Sequence, residues 1–449
     1  MPEQDLSGNP VRELGKRFFI TFLLGILVYR LGAVVPVPGV SSEALRDFMG
    51  AQGEGLLGQM MRWANMFTGH TIERASIFGL GVMPYISASI IFELLAFSVP
   101  ALKELQKEGE SGRRKINQYT RYAAVLICLV QSGLAARALM AIGGGEGNPV
   151  VVDEGWIFIP RTMLVVTTGS MVLLWLADQI TKHGVGNGVS VIIMIGILSG
   201  FPSGIAEMVS GGELPPVLGV ITIFLLIVAA MVLITLARRG IQLEQQRRVQ
   251  GNRVYGGAQT QVPLMLNQAS VIPVIFASPV MLVLTMGLGY LLPRAAGLFE
   301  YNQPVYRYFY AGIIIFFTFF YISITVDLNE WANNFKQSGF FIRGVKPGAK
   351  TVEYLRYRLT RITVVGAASL AAIAILPEMI GAVVGAGMAT RQALLGGVGL
   401  LIVVGVSLDV IKKVSSYLMA HQYQGLIKQQ QRSGGMGKSP RGAGGKRRF

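Results

Sequence analysis

MFTGHTIERASIFGLGVMPYISASIIFELLAFSV, residues 66–99, reads as a membrane span broken in two. A short half-polar piece from Met66 to Arg74 precedes an apolar run of about transmembrane length, and Gly79, Gly81 and Pro84 loosen the backbone where the two meet. Hydrocarbon offers no partner to a freed N–H or C=O group, so irregular backbone at membrane depth survives only inside protein or beside water. The break therefore predicts a pore or a binding cavity within a bundle of spans.

Composition agrees with a bundle. Of the 449 residues, 52% are hydrophobic and only 14% charged, and the charges cluster between apolar runs, the pattern of a polytopic membrane protein. The first apolar run, Phe18 to Val35, is too long for the core of a signal peptide and has no small-residue cleavage site behind it, so it is expected to remain as the first span. The lone cysteine, Cys128, cannot form an internal disulfide. His70, His183 and His421 are scattered without Cys or carboxylate partners at ligand spacing, so neither a metal nor another cofactor is expected.

Apolar runs of about 17 to 23 residues centre near residues 27, 90, 130, 169, 195, 227, 282, 318, 370 and 402, ten in all. An even count places both termini on one side. Lys and Arg gather at the N-terminus (Arg12, Lys16, Arg17) and in segments 103–121, 238–268 and 327–361, whereas 141–158 and 201–216 carry acidic residues and no Lys or Arg. By the positive-inside rule the termini and the basic segments are cytoplasmic. This accounts for most of the net charge of +16 without nucleic acid. Segments 238–268 and 327–361 are longer than connection requires, which marks them as docking surfaces.

The expected fold class is an all-α membrane protein with ten transmembrane helices in two five-helix halves. Its parts are a cytoplasmic N-terminal segment 1–17, a first half 18–203, an outer Gly/Pro-rich hinge 204–216, a second half 217–418 and a basic, largely disordered cytoplasmic tail 419–449. Two glycine-rich stretches resemble phosphate loops only superficially. GGMGKS at 434–439 has Arg432 where the first glycine is needed, no preceding strand, and Pro440 opposing a following helix. GVGNG at 184–188 fits a tight turn into a helix better than an anion nest.

Several stretches, in order and at consistent spacing, resemble the bacterial SecY family, whose members form the channel of the general protein-export translocon. They are RASIFGLGVMPYISASII (74–91), KEGESGRRKINQYTRY (107–122), GVGNGVSVII (184–193) and VIPVIFASP (271–279). Weaker support comes from QGNRVYGG (250–257), GVKPG (344–348) and GGVGLLIVV (396–404). The resemblance implies two pseudo-symmetric halves clasping a central pore, with a plug on the outer side near 60–74 (Met66, Phe67, Thr68, Ile72, Arg74). It also implies a seam opening sideways to lipid, between the helix after Gly81 and the helix starting near Val271.

By position in the matching motifs, the constriction ring is expected at Val82, Ile86, Ile193, Ile275 and Ile402, and the polar group of the lateral gate at Ser87, Gln131 and Asn267. A ring of aliphatic side chains offers ions no ligands and deforms around any passing residue. Composition alone would assign those five to core packing. Glu93 lies in the same apolar run, where a carboxylate needs water, a partner or neutralisation. Arg253 and Lys346 match the family's docking-loop tips, with Arg343 nearby. One arginine of the paired motif is Asn252 here, and the second tip carries Lys346 in place of arginine, which keeps charge but loses the planar fork.

The implied function is a protein-conducting channel of the bacterial inner membrane, without a nucleotide site of its own, that passes unfolded secretory chains and releases transmembrane segments into lipid. The implied partners are SecE- and SecG-type small membrane subunits, the SecA motor ATPase, the ribosome with its RNA, secretory and membrane protein substrates, and anionic lipids. A coupled transporter would place charged or strongly polar groups near mid-membrane, yet Asp178, Asp327 and Asp409 lie towards span ends. A membrane enzyme would need a nucleophile, metal cluster or acid/base pair, and no convincing set is present.

Overall fold

Along the helix from Glu110 to Ile142 the small residues face inward and the large ones outward. Ala124, Cys128, Ser132 and Ala136 are fully buried at four-residue spacing on one face, while Leu126, Val130 and Leu134 are exposed. A water-soluble helix would be arranged the other way. In lipid, acyl chains solvate leucine, and close helix packing calls for small side chains. The Ser132 hydroxyl lies 3.5 Å from that of Thr167 on the neighbouring helix, Phe158–His183.

The computed structural model describes residues 10–51, 65, 68–69, 71–142, 150–152, 155–202, 205–206, 214–245, 248–250, 253–255, 259–269, 271–291, 303–383 and 396–435. The expected plug residues Met66 and Phe67, most of the expected hinge, Asn252 and the end of the tail lie outside the described residues.

The first span is α1 (Pro10–Phe22), a π-helical stretch (Leu23–Val28) and α2 (Tyr29–Val34). There follow α3 (Ser42–Ala51), α4 (Met83–Ser98), α5 (Pro100–Lys107), α6 (Glu110–Ile142), α7 (Phe158–His183), α8 (Gly188–Leu198) and α9 (Leu214–Leu236). Strands β1 (Arg238–Gln245), β2 (Arg248–Gln250), β3 (Arg253–Tyr255) and β4 (Gln259–Met265) lead to α10 (Ile272–Leu291) and α11 (Pro304–Thr325). The rest is α12 (Leu328–Gln337), β5 (Phe340–Ile342), α13 (Ala349–Val383) and α14 (Gly397–Gly435). Among the described residues six helical stretches are long and apolar enough to cross a membrane, seven if Met83–Ala96 and Pro100–Gln106 count as one bent span; the shorter α8 is also apolar.

Two aliphatic cores organise the bundle. One is built from α9, α10, α11, α13 and α14, with Met231, Val274, Ile314, Leu370 and Leu400 at its centre. The other joins Tyr29 and Phe78 to α7 and α8, and receives Ile402 from α14.

The strands were not anticipated by an all-helical reading. β1 pairs antiparallel with β4, Arg238 opposite Met265 through Glu244 opposite Gln259, and β5 adds to the other edge of β1 with Leu243 opposite Ile342. Ile241, Leu243, Leu264, Ile342 and Leu355 are buried together beneath this sheet. The two long basic segments, which the sequence presents as separate loops, therefore share one small core.

The GVGNG stretch forms a turn that ties three elements. The Val185 N–H donates to Thr21 Oγ1 of α1 (2.9 Å), and the Gly188 N–H donates to Thr181 Oγ1 of α7 (2.8 Å). Asn187 caps α8, its side chain accepting from the Val189 N–H at 3.1 Å. A Cβ on Gly188 would lie 2.6 Å from the Ala177 carbonyl carbon, so this close crossing of α8 over α7 admits only glycine. Gly188→Ala is expected to destabilise the protein by about 1–3 kcal/mol, read as a lower thermal midpoint of the detergent-solubilised protein. An unchanged midpoint would contradict the close packing.

Candidate functional site

The broken span satisfies its freed backbone groups from neighbouring elements. Tyr29 Oη donates to the Thr68 carbonyl (2.8 Å), Ser199 Oγ to the Gly69 carbonyl (3.2 Å) and Thr71 Oγ1 to the Thr68 carbonyl (2.9 Å). Ser76 Oγ donates to the Gly32 carbonyl (3.0 Å), and Ser42 Oγ to the Arg74 carbonyl (3.1 Å). The Val37 N–H donates to the Ala75 carbonyl (2.7 Å), and the Ile77 N–H to the Val35 carbonyl (3.0 Å). Asn65, Thr68, Thr71 and Ser76 are nearly inaccessible, so each of these bonds replaces one that water cannot supply. Tyr29 also stacks on Phe78 at 6.2 Å between ring centroids.

Residues 71–82 are a run of turns rather than a helix, and Ile72 and Arg74 lie half-buried within it. Gly81 closes it with φ +56°, a left-handed backbone that glycine adopts without strain. Pro84 then sits in the first turn of α4, where its missing N–H leaves no partner wanting. Through Ser199 and Val40, which bridges to Val151, the segment lies at the end of the bundle marked by the acidic connections. α9 runs from that end to the strands, which places the sheet at the other.

Directly after the break comes the aliphatic cluster. Val82, Ile193 and Ile402 are buried in it, and Ile86 and Ile275 pack against it half-buried. Thus the five residues singled out as a ring, contributed by α4, α8, α10 and α14 and the residue capping α4, meet in one place. Tyr29, which packs in the same cluster, has its hydroxyl engaged with Thr68.

The three polar residues assigned to the seam are not brought into one network. Ser87 on α4 and Gln131 on α6 are half-buried, and Asn267 is buried in the turn between β4 and α10 with its Oδ1 unpartnered. Among the described residues no hydrogen bond joins them. The polar contact between α4 and the second set of helices is instead made by Tyr321 on α11, whose hydroxyl donates to Glu93 Oε1 at 3.3 Å. Glu93 was visible in the sequence as an ionisable residue in an apolar run; its partner, 228 positions away, was not.

The docking candidates lie on the strand segments and on the turn after β5. Arg253 belongs to β3, opposite Gln250 in a two-stranded hairpin. Arg343 is exposed just after β5, 4.0 Å from Glu244, and Lys346 is exposed in the adjoining turn, with its own carbonyl accepting from Thr351 Oγ1 (3.1 Å). A cavity of about 240 Å³ is lined by Arg343 together with Arg239, Gln242, Tyr354 and Arg358. Arg121 pairs with Asp178 at 2.6 Å where α6 meets α7. Among the described residues no group of three His, Cys or carboxylates is placed to hold a metal.

Apolar helices around an aliphatic cluster, capped at one end by a tied, turn-rich segment and at the other by a basic sheet, define a multi-pass membrane channel. The sequence model of the SecY family matches residues 76–411. A Rickettsia typhi relative named Protein translocase subunit SecY is 37% identical over 436 residues, covering 95% of this chain and 98% of that protein. A solved structure described as "The structure of a protein conducting channel" aligns with TM-score 0.59 at 16% identity, over 91% of this chain and 93% of that one. Another, "Sec61 in the Canine ribosome-channel complex from the endoplasmic reticulum", aligns with TM-score 0.56 at 16% identity, over 91% and 93%. The chain belongs to the SecY family. It is a protein translocase subunit, a channel component and not an enzyme.

Tyr29→Phe keeps the ring stack and removes the bond to Thr68. A lost hydrogen bond of about 1 kcal/mol corresponds to about a fivefold larger population with this segment displaced. Alkylation of a cysteine introduced at Thr68, in a Cys128→Ala background, should accelerate accordingly. An unchanged rate would mean that the Tyr29 hydroxyl does not hold the segment.

Proposed function

We propose that this channel conducts unfolded polypeptide through the ring of Val82, Ile86, Ile193, Ile275 and Ile402. The observation that carries the reading is the meeting of these five aliphatic side chains directly beyond the tied break. Such a ring closes by dewetting and yields to any side chain, because it binds none. The segment containing Met66, Phe67, Thr68, Ile72 and Arg74 acts as the plug, and its hydrogen bonds to α2 and the end of α8 hold it in the closed state.

Ten spans form two halves, 18–203 and 217–418, hinged at 204–216. Apolar segments leave between α4 and α10, with Ser87, Gln131 and Asn267 supplying polarity along that seam. The protein lies in the bacterial inner membrane with both termini in the cytoplasm, as its basic segments favour.

The sheet end receives the ribosome or the SecA motor through Arg253, Arg343 and Lys346. Ribosomal RNA would be met at its phosphates, with salt-dependent affinity. SecE- and SecG-type subunits complete the assembly, and anionic lipids meet its basic face.

Asparagine in place of Ile86 or Ile275 gives water a foothold in the ring. The resting translocase bearing either change, reconstituted in planar bilayers, should leak ions several-fold more than the unaltered one. Equal resting conductance in both variants would remove these residues from the constriction.

A further inference from the structure

Glu93 lies seven residues after Ile86 on α4, two helical turns further along the same face and about 10 Å towards the cytoplasmic end. There the Tyr321 hydroxyl reaches it from α11 at 3.3 Å, while the Tyr321 ring packs beside buried Ile322, Ala269 and Leu359. One partner belongs to the helix that Val82 caps and that carries Ile86, and the other to the helix packed beside α10. The bond therefore crosses the proposed lateral exit. The residues first assigned to hold that exit, Ser87, Gln131 and Asn267, make no such bond with one another.

We propose that Glu93 and Tyr321 form a latch across the cytoplasmic half of the seam, and that this latch sets how apolar an entering segment must be to part α4 from α11. The inference rests on the reading of the seam as the lateral exit. A segment wedging between the helices has to separate the hydroxyl from the carboxyl oxygen and leave both facing its own surface. A strongly apolar segment recovers that cost from burial, and a weakly apolar one does not. An interhelical hydrogen bond of this kind shifts the ratio of parted to closed seam by about 3- to 20-fold. A phenol can donate to an ionised or a protonated carboxyl oxygen, more strongly to the ionised one, so the latch forms with either charge on Glu93.

The test compares export of a secretory protein bearing a weakened, less apolar signal segment by the complete translocase. Tyr321→Phe, which keeps the ring and loses the donor, should raise that export at least threefold, and Glu93→Leu should do the same. Glu93→Gln, which keeps an acceptor oxygen, should restore the original threshold, and the Tyr321→Phe/Glu93→Leu double variant should exceed neither single variant. An unchanged threshold in Tyr321→Phe, or additive effects in the double variant, would overturn the latch. Bridging Glu93→Cys to Tyr321→Cys with a short bifunctional reagent, in a Cys128→Ala background, separates this from failure of the seam itself. If the seam is the exit, the bridge blocks membrane insertion whatever the threshold results; insertion unaffected by the bridge would overturn the lateral-exit reading and the latch with it.

Discussion

Backbone polar groups released at membrane depth have to be satisfied by protein, and residues 68–81 impose that demand at one point of the bundle. The partners come from Tyr29, Gly32, Val35, Val37 and Ser42 on one side and Ser199 on the other. Those bonds fix the end of the first span and the end of α8 against the break, and so fix where α4 begins. Val82 caps α4 and Ile86 lies one turn inside it. The position of the aliphatic cluster is thus tied to hydrogen bonds made just outside it.

The break and the aliphatic cluster beside it are held by different physics. At the break, directional hydrogen bonds specify a single arrangement. Within the aliphatic cluster, dispersion and exclusion of water hold side chains that tolerate rearrangement. Between α4 and α11 one hydrogen bond adds direction to an otherwise apolar contact. The sheet end leads directly into α10. The Leu266 N–H donates to the Ala237 carbonyl at 2.8 Å, closing the base of the β1–β4 hairpin, and α10 with Ile275 begins six residues later.

Much of this was legible in residues whose chemistry is local. The broken span announced itself through glycine, proline and a half-polar flank. The turn at 184–188 did so through its own composition, and length and hydropathy marked the six or seven spans that the described residues show, out of ten expected. The sheet was less visible. Alternation of Ile241 with Leu243 and of Val262 with Leu264 marks two strands, but the short apolar alternation is embedded among charged and polar residues, and β5 joins from about a hundred residues away. The constriction residues could not be told from core by type, since every span is rich in aliphatic residues. Family resemblance selected them, and tertiary structure brings them together from four helices and one cap. Tyr321 was invisible for the same reason: an apolar helix contains several aromatic residues, and only the fold selects the one that faces Glu93.

The central claim is that translocating polypeptide passes through the aliphatic cluster. A photocrosslinking residue at Ile193 or Ile402, compared with the same residue at lipid-facing Leu126 or Leu164, tests it in a translocase carrying a stalled secretory chain. Adducts to the stalled chain are expected at Ile193 and Ile402 and not at Leu126 or Leu164. Adducts at the lipid-facing positions without any at the cluster would contradict a pore at this site.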